Sequence, residues 1–279
     1  MSRKLKRKKS LWYRIHQNEK VQSAETVLLP LLFGFLFMIM WQTQKLHTLL
    51  HTDTFTLPLP SRILTIIADN SDKIMLNVNA TVIVTLAGLV AGSLIGYGIA
   101  VLAALFPKWG SCGLKIIAAF NAIPIVALAP VMTNWTKDVS NHADIRSMVA
   151  KIMVVTIVCI ANMSINAYRG LTELKPFSED LMCSYAASKR VTLIKLRLPN
   201  SVPYIFTALK VAVPSSVISA LVSEYFAEYI VGVGRQIREN IVLAQYSSAW
   251  AYIVVACLIG IIMYAVLMIA QSFMLKKRA

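Results

Sequence analysis

The chain has 279 residues and carries 28 Lys and Arg against 13 Asp and Glu, a formal charge of +15. Hydrophobic residues make up 57% and charged residues 15%, at a mean hydropathy of +0.64, whereas a soluble domain is about 45–50% apolar and about 25% charged. These figures exclude intrinsic disorder and leave a soluble nucleic-acid binder with an unexplained apolar excess, so the class is an all-α polytopic membrane protein with the lipid bilayer, and no nucleic acid, as its partner.

Residues 1–25 form a basic tail with eight cationic and two acidic side chains. A secretory signal would also begin basic, but its apolar segment should end at a small-residue cleavage site. The apolar stretch at 27–41 has no such ending and reads as an uncleaved first span. Fifteen residues fall short of the roughly 20 that cross a bilayer, so the span is expected to borrow 42–46. Residues 26–76 hold this helix and an external linker. His47 and His51, four apart with no carboxylate or thiol around them, read as interfacial polar residues. The stretch from Pro58 to Ala68 reads as a short amphipathic helix lying at the surface.

The transmembrane domain is expected over 77–273, with five further spans at 78–106, 114–132, 148–167, 204–222 and 250–273, and a basic C-terminus at 274–279. Each is near the length a helix needs at 1.5 Å per residue, and nothing alternates as barrel strands do. Six spans put both termini on one side. With the N-terminus in the cytoplasm, 20 of the 28 basic residues lie inside and 8 outside, which satisfies the positive-inside rule. The expected location is therefore the cell membrane, multi-pass, with N- and C-termini cytoplasmic. Cys112, Cys159, Cys183 and Cys257 are isolated and read as small buried apolar residues, not as metal ligands or disulfides.

Chemistry within a bilayer needs polar groups at depth, and charged ones there are costly enough to mark function. Few are found. Lys210 can snorkel from the fifth span and Glu224 marks that span's outer end, so an ion-coupled carrier is disfavoured. The neutral polar candidates for lining a pathway are Asn121, Asn162, Ser215, Ser216 and Ser219, together with the helix-breaking Pro124; the plainer reading of the Asn and Ser groups is glue between helices. Gly88, Gly92 and Gly96 recur every four residues and let backbones approach closely. Pro124, Pro130 and Pro214 should kink or break their helices. No G-x-x-x-x-G-K-[ST] loop is present, since the sequence has no Gly-Lys pair. No catalytic set is assembled and no metal site is expected, so the chain reads as a non-enzyme with no cofactor of its own.

The segment 168–202 between the fourth and fifth spans reads as helical. Pro176 suits a first turn, Glu179 and Asp180 favour the positive end of the dipole, and Leu181, Met182, Tyr185 and Ala186 line one face. At this loop the chain resembles the permease subunits of ATP-binding-cassette importers, most closely the nitrate/sulfonate/taurine type, which includes riboflavin- and pyrimidine-precursor members. The family pattern Glu-Ala-Ala-x-x-x-Gly, ending in Leu-Pro, counts back from Leu198-Pro199. It places Asp180 at the Glu position, Leu181 and Met182 at the two Ala positions and Ala186 at the Gly. Ala187-Ser188-Lys189-Arg190 fits the usual continuation, and Gly170 sits where the family's preceding Gly does. Asn121 to Pro130, Pro203 to Ala212, Ser223-Glu224-Tyr225 and Gly232-Val-Gly234 extend the resemblance to about 58–273.

The resemblance implies a type I importer permease of the MetI-like fold with six transmembrane helices. It implies a coupling helix seated on a cytoplasmic ATPase dimer that binds the ATP, an extracytoplasmic solute-binding protein, and a second permease subunit, identical or similar. The cargo implied is a small organic solute. The competing reading is a secondary carrier or channel acting without an ATPase. The Ala186 departure from Gly implies strain in a turn of positive φ.

Overall fold

The computed structural model of the chain describes residues 19–227, 229 and 231–276. Among them all regular structure is helical. The two basic termini, 1–18 and 277–279, lie outside the described residues. Chain contacts divide the molecule into two units, 1–65 and 66–279.

In the first unit, α1 (Glu19–Gln42) exposes Leu31, Phe33, Phe35 and Leu36, as a helix in hydrocarbon should. The expected extension through 42–46 is corrected: α1 stops at Gln42 and gains length on its N-terminal side. Gln44 at φ 62° turns the chain, and α2 (Lys45–Leu50) follows, closed by His51 at φ 51°. The Trp41 indole donates to the Pro58 carbonyl at 3.0 Å. The Gln42 side chain donates to Ser61 Oγ at 3.0 Å and accepts the Ser61 N–H at 3.1 Å. His47 is buried, with Nε2 2.6 Å from the Leu57 carbonyl oxygen. It therefore pins this linker from within; His51 is exposed. Asp53 accepts the Thr56 N–H at 2.8 Å, and that bond holds its carboxyl below the usual range. The unit boundary falls within α3 (Pro60–Asp69), which opens on a proline, the residue a first helical turn tolerates.

The second unit begins with α4 (Ser71–Leu105), followed by α5 (Pro107–Phe120), α6 (Ile125–Trp135) and α7 (Ala143–Thr172). After it come α8 (Ser178–Ser184), α9 (Lys189–Thr192), a π-helical turn over Leu193–Arg197, α10 (Leu198–Phe226), α11 (Val233–Val242) and α12 (Tyr246–Lys276). Among the described residues four helical runs are long and apolar enough to cross a membrane: α4, α7, Lys189–Phe226 and α12. Leu28–Gln42 and Ile125–Trp135 are shorter apolar helices. The third span, read as one helix over 114–132, is corrected to two. Asn121 closes α5, and Pro124 at ψ 124° stands before α6. Proline lacks the N–H that would continue the ladder and disfavours helix in the residue before it. Pro30, Pro130, Pro203 and Pro214 lie inside continuous helices.

α4 and α7 run parallel along a ladder of glycines. A Cβ on Gly88 would stand 2.5 Å from Val155 Cβ, one on Gly92 2.5 Å from Cys159 Cβ, and one on Gly96 2.7 Å from the Ile160 carbonyl oxygen. α10 returns antiparallel to both and buries Ala208, Ala212 and Ala220 against them. α12 packs on α4, α10 and α11 through Tyr252, Val255 and Ile259. Cys159 alone of the four cysteines is buried; Cys112, Cys183 and Cys257 are exposed, which corrects the expectation that all are core residues.

Candidate functional site

At one end of the bundle the chain leaves α7 and makes its long excursion. The departure is tight, since a Cβ on Gly170 would come within 2.7 Å of Tyr204 Cβ and 2.8 Å of Ser201 Cα. Asn200 at the start of α10 donates to the Gly170 carbonyl at 2.8 Å and the Glu173 carbonyl at 3.1 Å. These contacts fasten the two stems of the loop together. Leu198 is half-buried in the cluster around Ala100 and Leu171, and Pro199 occupies the first turn of α10.

The helix within the loop is shorter than its sequence pattern suggests. Pro176 lies ahead of it, Phe177 at φ 62° opens it, and Tyr185 and Ala186 fall beyond its end. Ala187 N–H donates to the Met182 carbonyl at 3.0 Å and Ala186 N–H to the Cys183 carbonyl at 2.9 Å. This is the bond pair of a Schellman stop, whose left-handed residue is usually glycine. Here it is Ala186 at φ 48°. Ser188 caps α9 by accepting the Val191 N–H at 3.4 Å, with Lys189 exposed beside it. Outward from the bundle stand Phe177, 82% exposed, Leu181 and Tyr185, with Asp180 also exposed and Met182 half-buried. Glu179 points back, its Oε1 2.6 Å from Arg197 Nη2. Arg197, which the sequence does not flag, also donates from Nη1 to the Ala104 carbonyl at 3.2 Å.

The opposite end carries a buried polar knot. Glu224 in the last turn of α10 has no exposed surface. Its Oε2 lies 3.0 Å from Thr81 Oγ1 and accepts the Gly234 N–H at 2.8 Å. Thr81 Oγ1 accepts the Val233 N–H at 3.0 Å, and Asn77 Oδ1 accepts the Gly232 N–H at 2.9 Å. From α7, Lys151, also buried, donates to the Val231 carbonyl at 3.1 Å. Gly232 is required here twice over: its φ is +133°, and a Cβ would stand 2.5–2.8 Å from the Glu224 carboxylate atoms. Lys151 lines a cavity of about 230 Å³ with Val84, Asp144 and Tyr229. The charge count treats Lys151 as an ordinary external cation. The signal for its burial was its position three residues into an apolar run, and for Asn77, Thr81 and Thr85 their i, i+4 spacing on one face of α4.

The polar residues singled out for a pathway divide by exposure. Asn121 and Pro124 are exposed at the break between α5 and α6, and Asn162 and Ser215 are half-buried. Ser216 and Ser219 have no accessible surface, and their hydroxyls donate to carbonyls of their own helix at 2.7 and 2.6 Å.

The model of the family described as "Binding-protein-dependent transport system inner membrane component" matches residues 88–278, from the glycine ladder to the end of α12. The chain belongs to this family. It is a permease component of an ATP-binding-cassette importer, embedded in the membrane by several spans. Its similarity extends to the formylaminopyrimidine transport permease protein ThiX of Halalkalibacterium halodurans, 25% identical over 89% of this chain and 95% of that protein. A probable ABC transporter permease protein of Haemophilus influenzae is 25% identical over 71% of this permease and 77% of its own length.

Proposed function

We propose that this permease is a passive gate worked from the cytoplasm by a separate ATPase dimer, which binds the ATP, while a solute-binding protein outside delivers the cargo. Both termini and the 168–202 segment face the cytoplasm in this reading. The carrying observation is the exposed trio Phe177, Leu181 and Tyr185 beside Asp180, set along a short helix and its two ends, in a loop whose stems on α7 and α10 are clamped together. An exposed apolar face next to acidic groups suits a partner's groove. A second permease subunit frames the path, to which Asn121, Pro124, Asn162 and Ser215 offer accessible surface.

The cargo is a small solute, organic as for the sulfonate, taurine and pyrimidine- and riboflavin-precursor members or an inorganic anion as for the nitrate ones. The transport named for the Halalkalibacterium relative makes formylaminopyrimidine the first solute to test. In proteoliposomes, its uptake is expected only with permease, ATPase, binding protein and ATP together. Uptake by the permease alone without nucleotide would make it a carrier or channel and end this reading. Asp180→Lys is expected to abolish co-purification with the ATPase while membrane insertion stays normal.

A further inference from the structure

We propose that Arg197 is a positioning residue that carries movement of α8 into α4, so that the loop drives α4 as well as its two stems, α7 and α10. This rests on the coupling role of the loop given above. By chain connectivity alone, α8 can pull only on its two stems, α7 and α10. Arg197 adds a third line. It sits at the last position of the π-helical turn Leu193–Arg197, where the helix is wider than α and a functional element is often found. One guanidinium nitrogen holds Glu179 in the first turn of α8 at 2.6 Å, and another holds the Ala104 carbonyl at 3.2 Å.

That carbonyl belongs to the last turn of α4, where helical carbonyls have no intrahelical donor and the dipole favours a cation. The planar fork of arginine serves two acceptors at fixed geometry; a lysine ammonium would not hold both in register. Gly88, Gly92 and Gly96 bring α4 close against α7, but side chains of hydrogen offer no catch against sliding, so packing on the α7 stem alone does not fix the axial position of α4. Tyr97 adds a second tie at this end, its hydroxyl 2.9 Å from Ser201 Oγ on α10. The Glu179–Arg197 pair is itself half exposed on the acid side, so it contributes little to stability, and its loss should leave the fold intact.

The test needs no knowledge of the cargo. In the permease–ATPase complex, with the native cysteines replaced, spin labels are placed at exposed Phe106 and Phe273, and separately at exposed Val211 and Phe273. Distances are measured without nucleotide and with Mg2+ and a non-hydrolysable ATP analogue. Both pairs are expected to shift in the otherwise unsubstituted permease. Arg197→Ala and Arg197→Lys should sharply reduce the Phe106–Phe273 shift, which the Tyr97–Ser201 tie then carries alone, and keep the Val211–Phe273 shift, with ATPase co-purification unchanged. The exchange Glu179→Arg with Arg197→Glu restores an ion pair but leaves Ala104 without a donor, and should stay defective at the Phe106 pair. Retention of both shifts in Arg197→Ala, loss of both, or rescue by the exchange would each overturn the assignment. No shift at either pair before substitution, with the ATPase bound, would instead defeat the coupling role of the loop itself.

Discussion

Glu224 Oε2 lies 2.8 Å from the amide of Gly234, ten residues on, and 3.0 Å from Thr81 Oγ1 on α4. One carboxylate thereby ties the end of α10, the first turn of α11 and the second span. Glu224→Ala removes the acceptor and strands the buried Gly234 N–H, a type of loss that costs about 1–3 kcal/mol per group and more when charge is involved. The expected result is a thermal midpoint lowered by several degrees in detergent, with residues 231–234 gaining protease sensitivity before the bundle does.

Lys151 and Glu224 are buried in the same knot with opposite charge, so neither should be removable alone without penalty. No salt-bridge contact joins them, Lys151 donating to the Val231 carbonyl and Glu224 accepting from Thr81 and Gly234, but removing one of two nearby buried charges leaves the other less compensated. Lys151→Met and Glu224→Gln should each destabilise, and the double substitution should be less damaging than the sum of the two. A double-mutant cycle on unfolding midpoints reads this directly; strict additivity would mean that the two charges are independent.

The glycine ladder gives a matched comparison within one helix. An added Cβ at Gly92 would meet Cys159 Cβ at 2.5 Å and the Thr156 carbonyl oxygen at 2.6 Å, whereas at Gly98 it would meet nothing within 4 Å. Gly92→Ala should therefore part α4 from α7 and lower the melting temperature, while Gly98→Ala, which also gains helix propensity, should not. Equal effects at the two positions would place the two helices further apart than the ladder implies.

Much of this architecture was legible because hydropathy reports burial in lipid. The long spans, the small-residue stripe and the exceptional loop all announce themselves by composition or spacing. Local geometry is what composition misses. Pro124 was visible as a breaker, yet an apolar average over 114–132 hides where α5 ends and α6 begins. Lys151 looked like an external cation, because its acceptor, the Val231 carbonyl, is 80 residues away in sequence and comes near only when the turn after α10 folds back. Arg197 looked like one more basic residue in a basic loop until Ala104 and Glu179 closed around it.

Ala186 offers the sharpest test of the loop's conformation, since its sequence departure and its backbone agree. The residue that ends α8 sits at φ 48°, a region costing a non-glycine residue roughly 1–2 kcal/mol. Ala186→Gly should relieve about 1 kcal/mol of that strain, discounted slightly by the freedom glycine gains when unfolded. Because loops open locally without the bundle melting, the gain should leave the global midpoint unchanged. It should instead slow amide exchange at Ala186 and Ala187, whose N–H groups close the stop, by about five-fold, the factor corresponding to 1 kcal/mol. Ala186→Val, β-branched and poorly tolerated at positive φ, should accelerate the same amides and weaken ATPase retention. Exchange that responds to neither substitution would mean that the turn is not held in this left-handed form.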